Sequence, residues 1–387
     1  MRYRSRCLVA LLALSLVTAA CGGQARVPDH GDYALEPIPG DYDAEPDRVR
    51  GSLVESVRIG ERIVVAERID PDLSEGNGGG VIVGVRGVDD MLSGVQRTAL
   101  APFDVLAGFG AIGSNGQIDN EQAYKFLSVV VVSLPDGEQA AAAAQAMAAA
   151  DFTANIDNAP LAIPDYPAAL SHWRPGVPTA GSWLVWRNLV IRVYAKVVDP
   201  TPEALAEVLT KTYRAQLAEL DSFVPTPAAQ LADLRIDRDQ LLPRLVKTGE
   251  YRPDKWEFMI YGPRAYALLL DKPSVRLREF EASAVDAVAV SYNRFLLRAG
   301  DADAAATLMA AETTVLEEGE YTPLRPVAGL PDISCHRAAR PNPEVIATRR
   351  FVCLVRHGEF VARIYSNRET DVRQQAVAQY ALLSGDR

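Results

Sequence analysis

The alternation of hydrophobic and polar positions repeats one series of elements twice along the chain. In the first series, the apolar run 129–134 predicts a strand, and Asp136 provides an N-cap for an alanine-rich helix. In the second series, the apolar run 288–297 predicts one strand, and Asp301 caps another helix of small residues. The two aspartates are 301 − 136 = 165 positions apart. A recurrence at this spacing indicates a duplicated module.

A hairpin and an amphipathic helix follow in each series. Residues 183–195 and 351–366 each contain two apolar runs around a short polar turn, which predicts a β-hairpin. The order strand–helix–hairpin–helix therefore predicts an α+β fold of two tandem related modules, each an antiparallel sheet packed with helices on one face. The returning strands share an Arg-x-Tyr pattern, which consists of Arg192 with Tyr194 and of Arg363 with Tyr365.

The N-terminus has the composition of an export signal. Three arginines within the first six residues precede an apolar run over 7–17, and small residues lead to Cys21. The run is shorter than the roughly 20 residues that a membrane-spanning helix needs. The stretch 17–21 resembles the bacterial lipobox, which implies that the Cys21 thiol receives diacylglycerol and that cleavage precedes Cys21. Cleavage near Ala20, releasing an unlipidated protein, is the alternative.

These patterns predict five segments. Residues 1–20 form the signal peptide, and residues 21–51 carry the lipidated cysteine and a flexible acidic tether, because prolines, glycines and acids leave little apolar surface to bury there. Residues 52–223 form the first α+β module. Residues 224–282 form a connecting helical segment, and residues 283–387 form the second module.

The net charge limits the choice of partners. The full chain carries −10 at pH 7, and loss of three arginines with the signal gives −10 − 3 = −13. An acidic surface argues against nucleic acid and against electrostatic docking on anionic lipid. We therefore predict no nucleic-acid partner.

The four cysteines divide by location. Cys7 leaves with the signal and Cys21 carries the lipid, so Cys335 and Cys353 remain, 18 positions apart. An exported chain favours a disulfide between them. A metal site is the alternative, but it would need more ligands than the nearby histidines supply.

The sequence contains no recognisable catalytic constellation. It lacks Gly-x-Ser-x-Gly and His-Glu-x-x-His, so we assign no catalytic residue, no metal and no cofactor. The glycines at 78–80 lack the Lys-Ser/Thr of a phosphate-binding loop, and we expect a flexible loop there. Asp301 and Asp303 are too few for a calcium loop.

Three sets of residues are candidates for ligand contact. His172 and His336 occupy equivalent repeat positions, either as paired ligands or proton carriers or, as we favour, as loop histidines left by duplication. The Arg-x-Tyr pairs present either a ligand-facing surface or the commoner solvated or helix-packed face. The tryptophans line a pocket between the modules or, as we favour, belong to the core; they are Trp173, Trp183, Trp186 and Trp256.

Several further landmarks occur in order along the chain. They are the lipobox, the acidic tether, Ala107-Gly108-Phe109, Leu134-Pro135-Asp136, Phe223-Val224-Pro225-Thr226-Pro227, Gly329-Leu330-Pro331 with Cys335, and Ala378-Gln379-Tyr380-Ala381-Leu382-Leu383. Together they resemble a family of two-domain lipoproteins from mycolate-walled actinobacteria. The resemblance covers nearly the whole mature chain and implies an envelope location and a two-domain form, but no activity. The order of the modules is also similar to that in extracellular sensor domains of actinobacterial receptor kinases, a likeness of fold alone.

The sequence therefore predicts a non-enzymatic lipoprotein on the outer face of the plasma membrane. We expect it to be attached through the lipid on Cys21 and to bind an envelope lipid, glycan or protein. Pockets favour domain interfaces, so the groove between the modules is the expected site. A hydrolase of unfamiliar design and an accessory subunit of a membrane complex are the alternatives. A deep pocket holding a paired histidine and carboxylate would favour the enzyme.

Overall fold

The computed structural model describes residues 28–40, 42–84, 87, 91–247, 258–340 and 349–385. The predicted signal peptide, Cys21 and Trp256 lie outside the described residues. The α-helices are α1 (Arg48–Gly60), α2 (Gly94–Leu100), α3 (Gly137–Thr153), α4 (Pro202–Leu220), α5 (Pro263–Ala267), α6 (Pro273–Ala282), α7 (Ala302–Glu318) and α8 (Glu369–Ser384). Among the described residues, none of these helices is both long and apolar enough to cross a membrane.

The strands form two antiparallel seven-stranded sheets. The first contains β1 (Glu75–Ile82), β2 (Ala107–Ser114), β3 (Phe126–Ser133), β4 (Ala159–Pro160), β5 (Leu170–Trp173), β6 (Thr179–Trp186) and β7 (Leu189–Lys196). The second contains β8 (Phe258–Tyr261), β9 (Ala287–Ser291), β10 (Arg294–Arg298), β11 (Tyr321–Pro323), β12 (Ile333–Ala338), β13 (Phe351–His357) and β14 (Phe360–Ser366). This arrangement confirms the predicted α+β fold of two tandem modules.

The two sheets have equivalent strand orders. The first runs β1-β2-β3-β7-β6-β5-β4, and the second, read from its other edge, runs β8-β9-β10-β14-β13-β12-β11. Each strand of the first module therefore has a counterpart in the second. The single strand predicted over 288–297 is instead the hairpin β9–β10, because Tyr292 adopts φ 53° and reverses the chain there.

Helices cover both faces of each sheet, so the prediction of helices on one face is wrong. On β3, Val130 and Val132 pack in a cluster with the alanines of α3, whereas Val129 and Val131 belong to the core that includes Leu205 of α4. Successive residues of a strand point to opposite faces, so a strand in which every residue is apolar is buried on both sides. The predicted caps are confirmed, because Asp136 and Asp301 accept hydrogen bonds of 2.8 Å from backbone N–H groups of α3 and α7.

The structure differs from the predicted flexible tether over its described parts, 28–40 and 42–51. Tyr33 donates to Asp371 of α8 at 2.6 Å, and burial together with this carboxylate raises the pKa of Tyr33 to about 12. Tyr42 is buried and packs against Phe258, with ring centroids 5.9 Å apart. Arg50 is buried at the start of α1 and donates to four backbone carbonyl oxygens. Polar contacts therefore hold a segment whose composition offered few apolar residues.

The segment 224–282, predicted as a helical connection, contributes to the second module. Strand β8 is an edge strand of the second sheet and pairs with β9, while α5 packs beside it and α6 packs against α5 and α7. A four-residue strand is too short to give a recognisable alternation, which explains the error.

A buried glutamine holds the same kind of backbone segment in each module. Gln216 of α4 accepts from the N–H of Val64 at 3.0 Å and donates to the carbonyl oxygen of Arg62 at 2.6 Å. In the second module, Gln379 of α8 binds the backbone N–H of Val246 and the carbonyl of Arg244 at 2.9 and 2.7 Å. The repeated contact attaches the last helix of each module to the segment that precedes its first strand.

The predicted disulfide is present, and its counterpart in the first module is a hydrogen-bonded pair of serines. Cys335 and Cys353 are direct partners on β12 and β13, with Cα atoms 4.0 Å apart. The equivalent partners on β5 and β6 are Ser171 and Ser182, whose hydroxyl oxygens lie 2.6 Å apart. Tyr213 of α4 also donates to Ser182 at 2.6 Å. One cross-strand position therefore carries a covalent link in one module and a hydroxyl network in the other.

Replacing both cysteines with serine should give the second module the pair of serines that the first module has at the equivalent position. We expect Cys335→Ser/Cys353→Ser to lower the free energy of unfolding by about 3 kcal/mol, because the unfolded chain loses its covalent loop. Urea denaturation followed by circular dichroism measures the change. Reduction of the native protein should give the same loss, while Ser171→Ala should cost about 1 kcal/mol. Equal stability of the oxidised and reduced proteins would contradict the prediction.

Candidate functional site

A groove of about 440 Å³ lies between the two modules. One side is edge strand β1 of the first sheet, and the other consists of residues on or next to α5, β8, β9, β10 and β13. Its volume is within the range of small-ligand sites. The lining residues are Gly78, Gly79, Gly80, Val81, Tyr261, Tyr266, Leu269, Val290, Tyr292, Asn293, Phe295 and Arg349. The groove between the modules that was expected from the sequence is therefore present.

The first module contributes mainly backbone to the groove. The predicted flexible loop at 78–80 is wrong, because these glycines are part of β1: Gly79 and Gly80 pair with β2, and Gly78 lies in the bulge between Gly76 and Gly79. Gly78 adopts φ 89°, which favours glycine, and a Cβ at Gly79 would lie 2.4 Å from the carbonyl oxygen of Gly110. Strand β1 thus needs glycine at these positions in order to approach β2 closely. As a consequence, it presents no side chain to the groove over three residues.

The second module contributes an aromatic wall. Tyr292 stands at the turn between β9 and β10, and its positive φ is an unfavourable conformation for a bulky residue. Its ring meets that of Phe258 edge-on, with centroids 5.4 Å apart. Tyr266 and Tyr261 are both buried, and burial raises the pKa of each phenol, to about 12 for Tyr266. Both phenols are therefore neutral at physiological pH and available as hydrogen-bond donors.

A buried charge network lies directly behind this wall. Glu312 of α7 is fully buried and accepts from Arg363 of β14 at 2.8 Å and from Arg276 of α6. Arg363 also donates to the hydroxyl of Tyr266 at 2.6 Å, and Arg276 to Glu279 at 2.5 Å. Burial raises the pKa of Glu312, but the two guanidinium groups outweigh it and hold that pKa below its usual range. Glu312 is therefore ionised at neutral pH.

Stacked cations and rings connect the rim of the groove to this network. The guanidinium of Arg363 lies 4.8 Å from the ring centroid of Phe295 and 5.8 Å from that of Tyr365. Arg349, at the rim, lies 5.6 Å from the same Tyr365 ring. Of the residues predicted as ligand-facing, Arg363 is thus buried within the network and Tyr365 is half-buried beside it. Neither lines the groove itself.

The first module has a different arrangement at the equivalent face. The position matching Glu312 is 312 − 165 = 147, which is Met147, so no carboxylate stands there. Arg192 is buried, with one guanidinium nitrogen 3.4 Å from the hydroxyl of Ser128 and the group 5.0 Å from the ring centroid of Tyr194. Burial lowers the pKa of Arg192 to about 10, against the opposing influence of Asp151. Arg192 and Tyr194 lie outside the set of residues that line the groove.

The two histidines occupy equivalent strands but have different neighbours. They lie on β5 and β12, not in loops, because those strands are too short to be recognised from the sequence. His172 places a ring nitrogen 3.2 Å from a carboxylate oxygen of Asp151 and stacks on Trp183. Burial lowers the pKa of His336, whose Nδ1 has no hydrogen-bond partner among the described residues.

Within the described part of the chain, the possible metal ligands and the tryptophans do not form a second candidate site. Over the described ranges, no group of three or more histidine, cysteine, aspartate or glutamate side chains could hold a metal ion. Trp183 is fully buried in the cluster that contains the α3 alanines, while Trp173 and Trp186 are half-buried and pack against the larger core cluster. None of these three lines the groove.

Sequence reasoning missed the residues that form the groove. Tyr261, Tyr266 and Tyr292 come from the segment assigned to a connection or from a predicted continuous strand. Arg349 lies two residues before the predicted second hairpin and carries no motif. The Tyr292-Asn293 pair, a short polar interruption of an apolar run, was the one local signal that could have indicated a turn.

The fold and the groove define a two-module α+β protein with a ligand-sized groove between its modules. Residues 42–236 match the N-terminal part of a domain of unknown function, DUF7373, and residues 241–386 match its C-terminal part. The chain belongs to this two-domain family. No curated protein matches it.

Among solved structures, the chain is similar to the extracellular domain of PknH from Mycobacterium tuberculosis. The identity is 15%, the TM-score is 0.30, and the match covers 41% of this chain and 94% of that chain.

Glu312 should make stability depend on pH. Because its folded-state pKa is depressed, its contribution is complete above the unfolded pKa, near 4.3, and is lost as pH falls through the folded value. We expect Glu312→Gln to cost about 3–5 kcal/mol at pH 7, since two buried arginines lose their shared partner. The difference from the native protein should shrink at lower pH.

Urea titrations from pH 7 to pH 3 measure this difference. Glu318→Gln, on the exposed side of the same helix, is the matched control and should stay within about 0.5 kcal/mol of the native protein. If Glu312→Gln does not fold at all, Glu279→Gln removes the half-buried end of the network and should show a smaller loss. A pH-independent difference would rule out the assigned ionisation.

Proposed function

We propose that this protein is a cell-envelope binding protein, held at the outer face of the plasma membrane by lipid on Cys21, that binds its ligand in the groove between the modules. The main support for this proposal is the composition of the groove. It combines a ligand-sized volume, three tyrosines and a phenylalanine, one arginine and an exposed glycine backbone. Aromatic walls with a few placed polar groups are the composition expected of a ligand site.

Three features support the envelope location. The first residues have the composition of an export signal, and the lipobox-like stretch ends at Cys21. The disulfide between Cys335 and Cys353 suits an oxidising compartment. The origin in a mycolate-walled actinobacterium is part of the same proposal and rests on the sequence landmarks.

The docked N-terminal segment limits the distance between the anchor and the modules. Asp29 accepts from Gln374 of α8 at 2.9 Å, so the chain is already held to the second module there. Between Cys21 and Asp29 there are 29 − 21 = 8 residue steps, which span at most about 29 Å. The second module is therefore proposed to lie near the membrane surface.

One observation favours the alternative of a hydrolase. His172 and Asp151 form the paired histidine and carboxylate that acid–base catalysis uses. Phe152 and Trp183 pack against the histidine ring, and the pair lies away from the groove lining. The binding function is therefore the better supported of the two.

The lipid anchor is tested by removing its sulfur atom. A Cys21→Ala variant should lose membrane association, because the acyl chains supply the affinity for the bilayer. Fractionation of cells expressing the full chain, followed by intact-mass analysis, measures both the location and the lipid. Cys7→Ala is the control and should remain membrane-bound and lipidated. Full membrane retention of Cys21→Ala would exclude the proposed anchor.

The binding function is tested by native mass spectrometry of the full chain purified from membranes. The native protein should retain a co-purified envelope component. We expect Tyr292→Asn to reduce that component at least about tenfold, because a central aromatic contact is worth about 2 kcal/mol. Asparagine tolerates the positive φ at this position, so the turn is kept.

Tyr380→Asn removes a half-buried tyrosine on α8, outside the groove, and should leave the bound component unchanged. Equal retention by Tyr292→Asn and the native protein, or no retained component in either, would count against the proposed function.

A further inference from the structure

We infer that the ligand of the groove is a saccharide bearing an acidic group, with its ring against the tyrosines and its anionic group at Arg349. This inference rests on the proposed function, since it assigns a chemical class to the ligand of that same groove. Four features of the described residues carry it: the charge of the lining, the availability of Arg349, the unpaired hydroxyl of Tyr261 and the shape of the β1 edge.

The groove is a positive site on an acidic protein. The whole chain carries −10, yet the described lining contains one charged side chain, Arg349, and no aspartate or glutamate. The network behind the wall adds two arginines and two glutamates, so the local sum is 3 − 2 = +1. A local sign opposite to that of the whole surface selects an anionic group.

Arg349 has a guanidinium available for that group. Its backbone carbonyl accepts from the hydroxyl of Tyr321 at 2.7 Å, which fixes the backbone, and its guanidinium lies against Tyr365. Among the described residues no carboxylate lies within ion-pair distance of it, whereas Arg356 and Arg373 of the same module each pair with an acid. A planar guanidinium oriented by a ring is suited to bidentate binding of carboxylate or phosphate.

Tyr261 supplies a second polar contact. It lines the groove at 6% exposure, and its hydroxyl has no hydrogen-bond partner among the described residues. A ligand hydroxyl in the groove can therefore form a hydrogen bond with this phenol without displacing a protein partner. Tyr266, Tyr292 and Phe295 provide ring surfaces beside it, whose negative faces attract the C–H groups of a sugar ring.

The same features disfavour the other occupants. An acyl chain would bury Arg349 and the Tyr261 hydroxyl without partners, which is unfavourable. An extended peptide would have to pair with β1, but the N–H of Gly76 already donates to the carbonyl of Asp271 at 2.6 Å. The bulge between Gly76 and Gly79 also interrupts the regular ladder that an added strand needs.

The test compares defined ligands on the full mature chain by isothermal titration calorimetry. The probes are glucuronic acid, glucose 6-phosphate, glucose and inorganic phosphate. We expect the two acidic sugars to bind at least tenfold more tightly than glucose and than phosphate. Arg349→Gln should abolish this preference, while Arg214→Gln, an exposed arginine on α4, should leave it intact.

Tyr261→Phe provides a second readout that does not depend on charge. It removes a hydroxyl that has no protein partner among the described residues, so the free energy of unfolding should be unchanged, whereas binding of both acidic sugars should weaken severalfold. Equal binding of glucose and glucuronic acid would overturn the acidic requirement, and phosphate binding as tight as either acidic sugar would overturn the sugar requirement. A co-purified component of another class, with no sugar binding, would overturn the inference while leaving the proposed function in place.

Discussion

One buried carboxylate determines where the aromatic side of the groove lies. Glu312 joins α7 to α6 through Arg276 and to β14 through Arg363, and Arg363 in turn holds the hydroxyl of Tyr266. Three elements and one groove residue thus depend on a single ionised group. Such a network is stable only when all its members are paired, because each unpaired charge in the interior is costly. The wall is therefore held in place by electrostatics as well as by packing.

The two modules keep the same scaffold but differ in the chemistry at equivalent positions. Both retain the glutamine that binds a preceding backbone segment. The second module has Glu312 and a disulfide, where the first has Met147 and the Ser171–Ser182 pair. At these equivalent positions the covalent and ionic constraints therefore lie in the module that supplies most of the groove's side chains, while the first module supplies a glycine-rich strand.

Sequence patterns predicted the elements whose formation depends on residues that are close together in the sequence. The capped helices α3 and α7 and the hairpins β6–β7 and β13–β14 were found because periodicity, N-caps and turns are encoded within a few residues. The docked segment 28–51 and strand β8 were missed, since distant polar contacts and sheet pairing hold them. The groove, too, is formed by residues that are distant in sequence and are brought together by such contacts. Tyr261 and Arg349 are 349 − 261 = 88 positions apart and meet only in the folded chain.

The N-terminal segment connects the proposed anchor to the proposed site. Asp29 and Tyr33 bind α8, which packs on β13 and β14 of the sheet whose other face carries Arg363. Lipid on Cys21 would thereby fix the groove-bearing module, and not only the chain end, close to the bilayer. A freely jointed tether of thirty residues would let the groove sample every orientation. A segment docked from Asp29 onward restricts that sampling, which suits a ligand that is itself held in the envelope.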